Sequence, residues 1–322
     1  MTNKLTYFWI ILVIIAIVGA IGAFWYLGSV NPLGNRQSGD TSFSVTDIHS
    51  LYPGTYFVSD IMIGTPLQEV PDKLMVYSKQ QMSEDEIFRI ASDLGITGEP
   101  TKESGWIFIR DDPCIFSAQP GGRVITYDDE TPIPGISPEY IDSHLPSDED
   151  AKKIADEFLK THNIHPGGLK FAGTDHNVGY YTYNDEWIKN DEKISVKYRH
   201  FINDYEIFNE KLGLEVTINR SISSMFWKWT RYQPYREYQI VSPEKAVAAL
   251  QKTGIVVIEG MQSPERAMVR NITLGYLGET HSKDLDYLIP VYKIEGVVYG
   301  NSPYAEFFQY IPASPGAASE LI

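Results

Sequence analysis

SDEDAKKIADEFL, residues 147–159, carries the pattern from which the fold is read. Ser147 is an oxygen-bearing residue placed to accept from a free backbone N–H at a helix start. Asp148, Glu149 and Asp150 fill the first turn, where carboxylates face the positive end of the helix dipole. Ala151, Ile154, Ala155, Phe158 and Leu159 then recur at spacings of three and four, which is one apolar stripe on a helix. The same opening occurs twice more. Ser83-Glu84-Asp85-Glu86-Ile87 leads to Ile90, Ala91 and Leu94, and Ser242-Pro243-Glu244-Lys245-Ala246 leads to Ala249 and Leu250. Pro243 falls at the first helical position, where its missing N–H costs nothing. Gly95 and Gly254 stand where helices stop.

After each of these helices the hydrophobic period changes from 3.6 to 2, the mark of strands. The first unit continues with 106–109, 114–116 and 124–127, the second with 178–183, 194–201, 214–218 and 225–229, and the third with 268–276, 289–299 and 307–311. Asn203-Asp204 and Leu212-Gly213 are expected to supply turns. A helix followed by an antiparallel meander, three times over, predicts an α+β class. The expected boundaries are a first unit with its lead-in segment over 51–146, a second over 147–240, a third over 241–313, and a tail at 314–322.

Ahead of these units stands YFWIILVIIAIVGAIGAFWYL, residues 7–27, an uncharged run of the length one helix needs to cross a hydrocarbon core. It predicts an N-terminal transmembrane helix, with Trp9, Trp25 and Tyr26 at headgroup level. Lys4 before the run, against Arg36 and Asp40 after it, places residues 1–6 in the cytoplasm and the body outside the cell membrane, as a single-pass protein. A cleaved signal peptide would have a shorter apolar core and a polar mature end. Residues 28–50 are rich in Gly, Ser, Asn and Asp and read as a linker. A net charge of −15 argues against a nucleic-acid partner. Cys114 is the single cysteine, so no intramolecular disulfide and no cysteine zinc site can form; within Pro113-Cys114-Ile115-Phe116 it reads as a small core hydrophobe.

The Ser-x-x-x-Ala openings and paired aromatic strands resemble PepSY and PepSY-like domains. Within 147–313, the segments Ser242 to Ala246, Val269 to Tyr276, Pro290 to Gly296 and Tyr310-Ile311-Pro312-Ala313 are similar to the terminal module of the YycH/YycI type of membrane-tethered regulator. The resemblance implies one N-terminal helix and an external body that restrains a cell-wall histidine kinase. It brings no catalytic residue with it. Where such domains often have Asp-Gly at the central hairpin, this chain has Asn203-Asp204-Tyr205.

Chemistry-bearing motifs are few. His162, His165 and His176 are the only clustered histidines, and HxxH needs a further ligand to hold a metal. A favourable contact of His162 with a helix end explains that position without one. Asp111-Asp112 and Asp128-Asp129-Glu130 would act as glycosidase acids only if they faced each other across a cleft. No phosphate loop, nucleophile elbow or HExxH is present, so neither a cofactor nor a metal is expected. The aromatic run from Met225 to Tyr235 is the candidate partner surface, with Phe226, Trp227, Trp229, Arg231, Tyr232 and Tyr235 as its residues, since aromatics and Arg dominate interface hot spots. The competing reading has Trp227 and Trp229 filling the junction between the second and third units. Asn219-Arg220-Ser221 and Asn271-Ile272-Thr273 are candidate glycosylation sites, with Asn271 expected to be the more open. The function expected is that of a non-enzymatic extracytoplasmic regulator binding a membrane or cell-surface protein. A membrane-anchored hydrolase of peptide or glycan is the alternative.

Overall fold

Each of the three serine openings starts a helix. A computed structural model of the chain describes residues 56–131, 144–183, 186–257, 264–279, 284–300 and 304–322. Helix α1 (Glu84–Asp93) begins with a reciprocal capping box: the Ser83 hydroxyl accepts from the Glu86 N–H, and the Glu86 carboxylate accepts from the Ser83 N–H at 3.0 Å. In α2 (Asp148–Thr161) the Ser147 hydroxyl accepts from the Asp150 N–H at 3.2 Å. Ser242, ahead of α3 (Pro243–Thr253), makes no such bond. Gly254 closes α3 at φ 73°, a left-handed value that favours glycine. In the expected tail a further helix forms, α4 (Pro315–Leu321), with the Ser314 hydroxyl accepting from the Ala317 N–H.

The strands are, in chain order, β1 (Asp60–Ile63), β2 (Lys73–Gln80), β3 (Pro100–Glu103), β4 (Trp106–Asp111), β5 (Cys114–Ala118), β6 (Val124–Asp129), β7 (Leu169–Tyr183), β8 (Glu186–Ile202), β9 (Tyr205–Thr217), β10 (Ile222–Lys228), β11 (Arg231–Gln239), β12 (Val256–Val257), β13 (Arg266–Glu279), β14 (Asp284–Tyr299) and β15 (Ala305–Pro312). Their pairing corrects the expected architecture. Strands dominate the chain and join into one mixed sheet, whose main path runs β11-β2-β14-β13-β9-β10-β6-β5-β4-β3. β7 and β8 branch off at β9, and β12 and β15 branch off at β14.

The expected α+β class, an N-terminal transmembrane helix followed by separate helix-plus-antiparallel-sheet units, is therefore not the fold observed. Pairing runs across both expected boundaries between units. β6 of the first unit lies against β10 of the second with Trp227 opposite Ile125, and β9 pairs parallel to β13 with Tyr276 opposite Ile207. β2 of the lead-in segment joins β14 through Tyr287 and Ser78, and β1 pairs parallel to β13. Each unit taken alone would have left exposed sheet edges, which the neighbouring unit's strand covers. Among the described residues no helix is long and apolar enough to cross a membrane; the run at 7–27 lies outside the described residues, as do the linker and the cytoplasmic segment.

Leu212-Gly213 is not a turn either. Gly213 sits inside β9, opposite Lys197 on one side and Phe226 on the other. The irregularity in that strand falls earlier, at Phe208-Asn209-Glu210. Lys211 pairs with Arg199 and Ile207 with His200, so three residues loop out, with Asn209 at φ 68°. Asn203-Asp204 does form the expected β8–β9 turn, at φ 47° and 72°.

The largest core lies under α1 and α2. It contains Ile87, Ala91, Ala151, Ala155 and Leu159 from the helices, Phe116 and Ile125 from the first unit's strands, and Leu212, Leu214, Trp227 and Trp229 from the second's. Cys114 packs at its margin, half-buried, with its sulfur 3.7 Å from the Tyr127 hydroxyl. A second core lies between α3 and strands β13–β15. The α1 and α2 C-terminal ends are tied together, since His162 Nδ1 donates to the Asp93 carbonyl at 2.6 Å.

Candidate functional site

The aromatic run divides between the two faces of the sheet. Met225, Trp227 and Trp229 point inward and are buried, while Phe226 is 39% exposed on the other face with the Lys211 ammonium over its ring. Trp227 and Trp229 belong to the core shared by the first and second units. The expectation that they fill the junction with the third unit is thus corrected, because β10 pairs with β6 and β9 rather than with β13. Beyond Lys228 the chain leaves β10, passes Trp229 and enters β11, where Arg231 pairs with Glu86 at the start of α1. Tyr235, 46% exposed, packs against Tyr287 with ring centroids 4.9 Å apart.

Trp227, Trp229 and Arg231 together line a cavity of about 500 Å³, completed by Arg89, Ile90 and Asp93 of α1 and by the loop 162–167 after α2. The inner wall is indole and the rim is polar. Trp227 is 7% exposed, and its indole N–H meets no acceptor among the described residues. A buried donor left unpaired costs about 1–3 kcal/mol. The charges nearly cancel. Glu86 offsets Arg231, Asp93 sits beside Arg89 on the lining, and the C-terminal ends of α1 and α2 add partial negative charge. The cavity therefore suits a mixed or neutral group rather than a free anion.

Behind Trp229 lies a buried polar cluster that sequence reading passed over. The His200 ring stacks on Trp229 at 3.7 Å, and its Nδ1 donates to Glu210 at 2.6 Å, with both residues buried. Glu210 also accepts the Thr230 N–H at 3.3 Å and the Tyr232 hydroxyl. Burial, then the Glu210 charge, pushes the Tyr232 phenol well above its usual pKa, so it remains a donor. The looped-out segment 208–210 brings Glu210 to this point. Asn209, a residue tolerant of positive φ inside an alternating strand, was its one visible signal. Glu210→Ala leaves three donors unaccepted and is expected to cost about 2–3 kcal/mol, whereas Glu210→Gln, which keeps one acceptor oxygen, costs less. Urea unfolding of the two variants checks the order.

The remaining candidates are dispersed. His176 pairs with Asp148 at 3.0 Å, whereas His162 and His165 line the cavity. Among the described residues no three His, Cys, Asp or Glu side chains gather as a metal site. Asp111 accepts both the N–H and the hydroxyl of Thr97 at 2.9 Å, which holds its carboxyl below the usual range. Asp129 accepts from the Thr131 N–H at 2.9 Å. Asp111 thus ties the segment after α1 to the end of β4, and Asp129 serves a local turn. Asn219 is exposed beside the β9–β10 turn. Asn271, also exposed, spends its amide on Thr273 and Glu295 at 3.1 and 3.2 Å, which makes Asn219 the more open sequon.

No family model matches the chain, and no curated protein matches it. Among solved structures, an uncharacterized protein from Eubacterium rectale ATCC 33656 is 10% identical, over 80% of this chain and 89% of that one, with a TM-score of 0.44. A likeness at that level carries nothing about function.

Proposed function

We propose that the chain is an extracytoplasmic regulatory or interaction protein, held at the cell membrane through the apolar run at 7–27, that binds a membrane or cell-surface protein without catalysing a reaction. The cavity between α1, the loop after α2 and the end of β10 supports this reading. Two indoles and two arginines line it, and Trp and Arg are the side chains most enriched at interface hot spots. Its volume suits one inserted side chain or a short loop. The resemblance to PepSY-like, YycH/YycI-type regulators points the same way.

Arg89 is exposed on this rim, so Arg89→Ala leaves the core intact. Capture from solubilised membranes with the wild-type chain is expected to recover one partner in stoichiometric amount. Arg89→Ala should weaken that recovery about tenfold, corresponding to about 1.4 kcal/mol. Equal recovery by both chains, or turnover of peptide or glycan by the purified protein, would overturn the reading.

A further inference from the structure

A second groove, of about 810 Å³, opens where β2 and the start of β14 meet the β3–β4 and β5–β6 turns, and it shares no lining residue with the cavity beside Trp229. Its charged residues are already balanced. One Asp284 oxygen takes Arg123 at 2.7 Å and the other takes Lys79. Lys79 also donates to the Gly278 carbonyl at 2.7 Å. With Asp286 on the lining, two cations face two carboxylates. The ion pairs fix the floor in place and leave no net field for a charged ligand.

The rest of the lining consists of amides, the hydroxyls of Ser78, Ser104 and Thr230, two rings, and Gly105, Pro120 and Gly121. Gln81, Gln119 and Gln233 come from three separate segments, and none of their side chains is engaged in a hydrogen bond among the described residues. Each amide offers both a carbonyl acceptor and N–H donors. Trp106 and Tyr287 supply half-buried aromatic surface, and Tyr287 is backed by Tyr235. An apolar ligand would strip water from the amides without replacing its hydrogen bonds. An anion would meet Asp286, and a cation drawn to Asp286 would meet Lys79 and Arg123 on the same lining. A compound dense in hydroxyls, each both donor and acceptor, and with apolar C–H faces to lay on aromatic rings satisfies every group present. We propose that this groove binds a neutral saccharide, independently of the partner cavity.

The test is calorimetric titration of the full chain, in a detergent without a sugar headgroup, with chitotetraose, cellotetraose and maltotetraose, and with polygalacturonate as an anionic comparison. Saturable binding of at least one neutral oligosaccharide is expected. Trp106→Ala should weaken it at least tenfold and Gln233→Ala severalfold. Gln233 is exposed on β11, so its variant is expected to keep the wild-type melting midpoint even if Trp106→Ala folds poorly. Arg89→Ala should bind the sugar as the wild type does, which separates failure of this site from failure of the partner cavity. Absence of heat with all three neutral oligosaccharides, tighter binding of polygalacturonate, or binding indifferent to Gln233→Ala and Trp106→Ala would each overturn the proposal.

Discussion

Trp227→Ala is expected to lower the unfolding free energy by about 3–5 kcal/mol, the range for removing a large aromatic from a packed core. Trp227→Phe should cost far less. The indole is 7% exposed and lies in the core under α1 and α2, opposite Ile125 on β6. Deleting it removes its packing within that core and opens a void continuous with the neighbouring cavity, so collapse around the gap cannot restore what is lost. Phenylalanine keeps most of the ring and removes the N–H that has no acceptor. That relieves part of what the lost area costs. Urea denaturation of the full chain in detergent measures both. A loss below about 1 kcal/mol for the alanine variant would show that the ring does not hold the first and second units together.

What the sequence made legible was local. Ser83, Ser147 and Ser242 mark helix starts because capping is decided within four residues, and alternation at 268–276 or 194–201 marks strands because the pleat has a fixed period of two. Neither signal names a partner strand. β2 looks like a short lead-in piece, yet it sits between β11 and β14, more than 150 residues away. The repeat therefore suggested three self-contained units, while the free edges of each are covered by another. At the site, Trp227, Trp229, Arg231 and Tyr232 stood out by composition. His200 and Glu210 did not, because a buried charged residue in a strand reads as an ordinary solvent-facing one until the three-residue insertion around Asn209 is seen. Arg89 and the groove amides were silent for a related reason: only the crossing of distant segments gathers them.

Above about pH 10 the fold is expected to fail steeply rather than titrate gradually. Tyr127, Tyr198, Tyr276 and Tyr292 are all buried, and burial is the first cause that raises each phenol well above its ordinary value. Tyr198 donates to Asp156 at 2.6 Å, Tyr276 to the Met75 carbonyl at 2.7 Å, and Tyr292 to the Val241 carbonyl at 2.7 Å. A phenolate could make none of these bonds. Below about pH 10 both folded and unfolded chains keep these protons, and the groups add no pH dependence. Above it the unfolded chain releases them and the native chain does not, so the native state binds more protons and stability falls as pH rises. Each such phenol contributes a slope of about 1.4 kcal/mol per pH unit, and four contribute about 5. A total stability of about 5–15 kcal/mol is then exhausted within roughly one to three units. Phenolate absorbance and far-ultraviolet circular dichroism, followed together through the alkaline range, should show these tyrosines ionising only as the secondary structure is lost. Tyr198→Phe should make the transition shallower by one group's share. Smooth ionisation of every tyrosine near pH 10 with the fold retained would mean that these rings are open to water and that the sheet does not close over them.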